Sequence, residues 1–247
     1  DSWRALSPPV VSFRDSELTF TPRVVKKSKP ARSRYQEASW VMHRHSDIVA
    51  GVLVGGQSRR MGRPKLLLPH PFASSFVEHI VAEARQVVSE VFLLGSHVSL
   101  PASLRGVPQL PDVRENGGPL AGLCSLLEVA SNRRVLLLAC DLPLLDASVL
   151  RRLIARAGPE GGAVAFAHKG SAASAAGVIA KWHTCCALYH PRILPIAQRE
   201  LLHGRSSLQR VLRSVRVTTL QPDADIERLM NNVNTPNELA NLTFAQN

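Results

Sequence analysis

From Asp47 onward the sequence predicts an α/β protein with a mainly parallel sheet, and three observations carry that prediction. Short, continuously apolar runs recur along the chain. Amphipathic segments of helical period separate them, as crossover helices separate the strands of a parallel sheet. Glycine-rich or acidic stretches directly follow two of the apolar runs, where the loops beyond strand carboxyl ends belong.

Residues 1–46 stand apart. They carry nine Lys or Arg against four acids, contain Pro8-Pro9 and the run Lys26-Lys27-Ser28-Lys29-Pro30, and lack sustained helical or strand periodicity. This segment reads as a basic, flexible extension, leaving 47–247 as the folded domain. Ile48-Val49-Ala50-Gly51-Val52-Leu53-Val54 predicts a buried first strand. A helix is expected from about Ser75 to Val88, with Phe76, Ile80, Ala84 and Val87 on one face and Ser75 with Glu78 as a capping box. Val91 to Leu94 reads as the second strand. Gly117-Gly118-Pro119 opens the next helix, whose apolar face is Leu120, Leu123, Leu126 and Leu127. Val135 to Cys140 is a continuously apolar strand ending at Asp141. Beyond it, strands are expected at Ala163–Ala167, Cys185–Tyr189 and Val215–Leu220, alternating with helices at about Ala147–Ala157, Arg192–Leu202 and Ser206–Arg213.

Composition narrows the possibilities. At 247 residues and 45% hydrophobic the chain can bury one substantial core, so disorder throughout is excluded. No stretch approaches the roughly 18 apolar residues of a membrane span, and the start lacks the apolar core of a secretory signal. The expectation is a cytoplasmic protein without a membrane partner. Cys124, Cys140, Cys185 and Cys186 show no CxxC spacing and read as packing thiols. The net charge of +11 suits a phosphate-rich partner, which admits a nucleotide, a phosphorylated small molecule or a nucleic acid.

The chemistry concentrates at two strand ends. Leu53-Val54-Gly55-Gly56-Gln57-Ser58-Arg59-Arg60-Met61-Gly62-Arg63-Pro64-Lys65 follows the first strand directly. Its glycines let backbone amides face a triphosphate without obstruction, while Arg60 and Lys65 neutralise its charge as pyrophosphate departs. The spacing is neither a Walker loop nor a dinucleotide fingerprint. Asp141, in Cys140-Asp141-Leu142-Pro143, sits where a Mg²⁺ ligand belongs, because Mg²⁺ takes one or two carboxylates and completes its octahedron with phosphate oxygens and water. Capping of the following helix falls to Asp146 instead. Asp112 suits contact with a base or ribose, and equally the formation of a turn. In Asn232-Val233-Asn234-Thr235-Pro236-Asn237-Glu238, Thr235, Pro236 and Glu238 spell a helix start, which leaves the Asn232 and Asn234 amides for a ligand. His183 precedes a strand-like run and can line an acceptor pocket. No Ser-His-Asp or Cys-His order demands covalent catalysis.

These residues resemble a known family. Gly55-Gly56-x-Ser58-x-Arg60-Met61-Gly62-x-x-Lys65 is similar to the signature loop of molybdenum cofactor guanylyltransferases, and Gly118-Pro119-Leu120-Ala121-Gly122, Cys140-Asp141-Leu142-Pro143 and Asn232-Val233-Asn234-Thr235-Pro236 follow in the family's order. The resemblance implies a Rossmann-like, three-layer nucleotidyltransferase domain over 47–247, which transfers GMP from GTP to the terminal phosphate of molybdopterin and releases pyrophosphate. It implies that Leu53, Val54, Gly55, Gly56, Ser58 and Lys65 bind GTP, that Asp112 lies near the guanosine, that Asp141 holds Mg²⁺, and that Asn232 and Asn234 face the pterin. A transient partner, a molybdoenzyme or cofactor carrier, would receive the product. The chain departs from the pattern at Val54, where Ala is usual, at Pro64, at His183-Thr184, and at Gly95, where some members place Asn.

Two other readings make different demands. A cytidylyltransferase acting on molybdopterin also carries Arg-Met-Gly-Arg-Pro-Lys, as residues 60–65 do, and differs in the base it selects. A noncatalytic nucleic-acid-binding or regulatory protein draws support from the basic segment alone and requires affinity that falls steeply with salt.

Overall fold

The computed structural model describes residues 7–14, 17–23, 44–55, 67–70, 73–95, 100–168, 181–233 and 238. Within the amino-terminal segment, β1 (Ser7–Arg14) and β2 (Glu17–Arg23) pair antiparallel. Pro8-Pro9 and the charged residues obscure that pairing in the sequence.

The remaining elements alternate as the apolar runs require. They are β3 (His45–Leu53), α1 (Phe76–Arg85), β4 (Val88–Leu94), β5 (Gln109–Leu110), α2 (Gly118–Val129), β6 (Arg134–Ala139), α3 (Ala147–Ala155), β7 (Ala163–Ala167), β8 (Trp182–Tyr189), α4 (Leu194–Leu202), α5 (Leu208–Arg213), β9 (Val217–Leu220) and α6 (Ala224–Leu229). Seven strands form one sheet in the order β5-β4-β3-β6-β8-β7-β9. Only β8 runs against its neighbours β6 and β7; the other pairings are parallel.

The alternation of side chains across β3 divides the core. Ile48, Ala50, Val52 and Val54 point into one layer with Val77, Ile80 and Ala84 of α1, Val149 and Leu153 of α3 and Ile226 of α6. Val49 points into the other with Leu123 and Leu126 of α2, Ala197 of α4 and Val211 of α5. Helices therefore cover both faces, and a strand buried on both sides reads as a continuous apolar run. Gly51 lies on the second face, where a β-carbon would meet Leu126 and Leu94 side chains at 2.6 Å. The missing side chain lets α2 settle against the sheet.

The capping box at α1 is present. Ser75 Oγ accepts from Glu78 N–H at 3.4 Å and donates to the Glu78 carboxylate at 2.6 Å. Asp146 caps α3 by accepting from Ser148 N–H at 2.9 Å and Val149 N–H at 3.3 Å, which leaves Asp141 outside that task. The four cysteines are free thiols. Among the described residues no helix is long and apolar enough to cross a membrane.

Candidate active site at the carboxyl edge of the sheet

Parallel strands end on one edge, and β3, β4, β5 and β6 all deliver their following loops there. At the end of β3, Val54 N–H and Gly55 N–H both point to the Leu94 carbonyl, at 2.9 and 3.3 Å, while Gly95 N–H donates to Leu110 at 2.9 Å. Three strand ends are thus stitched together by backbone. Gly95 adopts φ +117°, and a β-carbon there would lie 2.9 Å from Gly55 Cα and N. The left-handed conformation and this backbone crowding give the physical reason for glycine at this position.

Asp112 follows β5. The Ser125 hydroxyl of α2 accepts from Val113 N–H at 3.0 Å and donates to the Pro111 carbonyl at 2.7 Å, holding the chain on both sides of Asp112. A β-carbon at Gly122 would stand 3.1 Å from Leu53 Cδ2 and 3.4 Å from Asp112 Oδ1, so the bare glycine is where these two residues converge. Partial burial raises the Asp112 carboxyl above its usual range. Gly117 fits only without a side chain, because a β-carbon would meet that of Ala121 at 2.6 Å; Gly118 has φ +61°. Both glycines are needed to start α2 at this angle.

Asp141 follows β6, and its Oδ1 is buried. Its backbone carbonyl accepts from Val233 N–H at 3.0 Å, which draws the carboxyl-terminal Asn232-Val233 block to the loop after β6. Asn232 is exposed and Val233 is 2% exposed. Because β8 is reversed, it enters this edge by its amino end and brings Trp182, His183 and Cys185 from within a strand. The Cys185 thiol is pushed up to about 11, first by burial and further by the neighbouring Asp141 carboxylate, so it stays protonated near neutrality. His183 stacks on His168 with centroids 3.8 Å apart and planes at 28°. Burial chiefly, then His168, lowers His183 to about 4, with Glu227 opposing. The imidazole is therefore neutral at physiological pH.

Leu53, Val54, Gly55, Asp112, Asp141, His183 and Asn232 accordingly share one edge of the sheet. Gly56, Ser58, Arg60, Lys65 and Asn234, and the helix start at Thr235-Pro236, lie outside the described residues. Ser125, His70 and His79 escaped the sequence reading, although each is a polar residue embedded in an apolar helical face or run, a signal that marks a buried partner. Among the described residues no three His, Cys, Asp or Glu side chains cluster to enclose a metal. One buried carboxylate oxygen at the end of β6 suits Mg²⁺ that arrives with a triphosphate, since such ions take few protein ligands.

A three-layer α/β sheet with a glycine-rich sequence after its first domain strand and an acidic residue at the adjacent strand end sets out a nucleotide-binding α/β class, in which ligands sit outside the carboxyl ends of the strands. The chain belongs to the family of MobA-like NTP transferase domains, whose model matches residues 50–221. A Nostoc sp. protein described as a probable molybdenum cofactor guanylyltransferase is 33% identical over 204 residues, 79% of this chain and 90% of its own. A relative of the same description from Carboxydothermus hydrogenoformans is 29% identical over 77% of this chain and 92% of its own. The crystal structure of molybdopterin-guanine dinucleotide biosynthesis protein A from Archaeoglobus fulgidus shares the fold at a TM-score of 0.60 and 19% identity, over 77% of this chain and 94% of that one. The protein is thus a nucleotidyltransferase.

Proposed function

We propose that the protein transfers GMP from GTP to the terminal phosphate of molybdopterin, releasing pyrophosphate, in the cytoplasm. The observation that carries this reading is the bond between Val233 N–H and the Asp141 carbonyl, 3.0 Å long, which joins the acceptor-side block to the metal-side loop. The names of the relatives, molybdenum cofactor guanylyltransferases, supply the two substrates.

The acceptor phosphate needs no strong base, because its second pKa is about 6 and it is largely dianionic near neutrality. An oxygen of that phosphate forms the new bond to the α-phosphorus, and the bond from that phosphorus to the β-phosphate bridge oxygen breaks, so pyrophosphate carries away the electron pair. Arg60 and Lys65 neutralise the departing charge, and the glycine-rich stretch from Leu53 to Gly56 with Ser58 orients the triphosphate, the Val54 and Gly55 N–H groups serving to fix the strand end through the Leu94 carbonyl. Asp112 holds the nucleoside. Asp141 holds Mg²⁺, which when bound withdraws charge from the phosphate oxygens. Neutral His183 and the Asn232 and Asn234 amides receive the pterin through hydrogen bonds and ring contact rather than charge. A molybdoenzyme or cofactor carrier then takes up the product.

The test is pyrophosphate release with molybdopterin and Mg²⁺, measured with GTP, CTP, ATP and UTP in turn and with Asp141→Asn as control. GTP-selective, acceptor-dependent release supports the reading. The sequence of residues 60–65 favours CTP as the second reading, and CTP selectivity would establish it. Acceptor-independent behaviour with every nucleotide would overturn both and direct attention to a sugar phosphate acceptor or to the noncatalytic alternative.

A further inference from the structure

The loop that begins at Asp141 makes its own turn, with Leu145 N–H donating to Leu142 at 3.1 Å, but it is also gripped from outside. His70 donates its Nε2 proton to the Pro143 carbonyl at 2.7 Å, and His79, on α1, donates its Nε2 proton to the Leu145 carbonyl at 2.8 Å. One turn further along α1, the Glu83 carboxylate accepts from Ala147 N–H at 2.8 Å. Three side chains thus hold alternate residues of one short stretch of backbone.

The two imidazoles are stacked on each other, centroids 4.0 Å apart and planes at 16°, and are only 6% and 9% exposed. A carbonyl can only accept, so each ring carries its proton on Nε2 in this arrangement. Displacement of either ring would leave a buried carbonyl without its donor and the other ring without its stacking face, costs that make the pair act together. In sequence His70 stands five residues after Lys65, while Pro143 stands two after Asp141. One hydrogen bond therefore ties the chain just downstream of the phosphate loop to the chain just downstream of the metal-side carboxylate.

We propose that His70 and His79 are a positioning pair that fixes the Asp141 carboxylate for the Mg²⁺–triphosphate by holding the Pro143 and Leu145 carbonyls. The proposal rests on the assignment of Asp141 to Mg²⁺. Neither ring is assigned a contact with the reacting atoms. Simple core filling would also bury two flat rings here, and the difference lies in the N–H donors: leucine fills the space without them, glutamine supplies an N–H at nearly the reach of Nε2, and asparagine is polar but too short.

The experiment uses the full chain and the variants His70→Leu, His79→Leu, His70→Gln and His70→Asn. Two quantities are read: backbone hydrogen exchange over residues 140–147 without ligand, and the dependence of GTP affinity on Mg²⁺ concentration by calorimetry. The leucine and asparagine variants are expected to speed exchange in the loop at least about tenfold and to raise the Mg²⁺ needed for half-maximal GTP affinity about fivefold, while His70→Gln stays near wild type in both. Wild-type exchange and Mg²⁺ dependence in folded leucine variants would overturn the proposal while Asp141 kept its role. If the leucine variants do not fold, the contrast between His70→Gln and His70→Asn decides, and equal behaviour of those two overturns it. Wild-type GTP binding that ignores Mg²⁺ would remove the Asp141 assignment and this proposal with it, whereas loss of acceptor-dependent turnover alone touches only the proposed reaction.

Discussion

The two halves of the sheet approach the same edge by different means. In the half formed by β5, β4, β3 and β6, every strand is parallel to its neighbours and ends at the edge. What gathers there is largely backbone: Val54, Gly55 and Gly95 amides, glycines at 95, 117, 118 and 122, and one carboxylate at each of two strand ends. In the half formed by β8, β7 and β9, the reversed β8 starts at the edge, so the groups gathered there are side chains standing on a strand: His183 and Cys185, with His168 stacked alongside. Under the proposed function the phosphates would meet the first half, where glycines allow close backbone approach, and the heterocyclic acceptor would meet the ring faces of the second. One reversed strand would then let a single edge serve both.

Four substitutions and one titration probe that contrast, beginning with the greatest effect. Asp141→Asn is expected to lower kcat about 100-fold or more while leaving thermal unfolding near wild type, as loss of one metal-binding charge requires; a folded variant with ordinary Mg²⁺-dependent turnover would remove Asp141 from the phosphate side. Gly95→Ala forces a β-carbon to 2.9 Å from Gly55 at φ +117° and should cost about 2 kcal/mol of stability, with GTP affinity falling alongside. Denaturant unfolding checks the first part and calorimetry the second. An unchanged midpoint would mean that the backbone crowding is not rigid. Ser125→Ala leaves Val113 N–H without its acceptor, an expected loss of about 1–2 kcal/mol, and should raise the KM for GTP several-fold with the acceptor's unaltered. His183→Ala should do the reverse, raising the acceptor's KM about fivefold and sparing that of GTP. Should Ser125→Ala and His183→Ala move the same constant, the division of labour between the halves is wrong.

The proton effect is smallest near neutrality. His70 and His183, one in each half, both have pKa values lowered to about 4 in the folded chain, from 6.5. The unfolded chain binds protons first on acidification, so stability from these groups is complete above about pH 6.5 and falls as pH drops toward about 4. Unfolding curves should therefore coincide from pH 8 to 7 and shift progressively below 6.5, with a shallower shift in His70→Gln.

Much of this was legible in the sequence for a physical reason: a strand buried on two faces or a helix buried on one leaves a periodic apolar record. β7 was read as Ala163–Ala167 and is found there, and the Ser75 and Asp146 caps are local signals spanning three residues. Elements with little burial left no record. β5 is two residues long, α6 buries only Ile226, and the β1–β2 pairing is masked by its composition. Periodicity is also blind to direction, so the reversal of β8 was out of reach. At the site, Asp112 and Asp141 could be picked out because they follow apolar runs, whereas the contacts that hold their loops join residues 12 to 73 positions apart and involve backbone N–H and carbonyl groups, which carry no residue-specific signal.

The hydrogen bond from Val233 to Asp141 has a bearing on engineering. Under the proposed function, a tail whose described backbone tie to the Asp141 loop is one peptide group would serve as an exchangeable cassette. Transplanting residues 231–238 from a relative with another acceptor should alter the choice of acceptor without rebuilding the nucleotide half, provided that the backbone at position 233 still offers an N–H, which every residue except proline supplies.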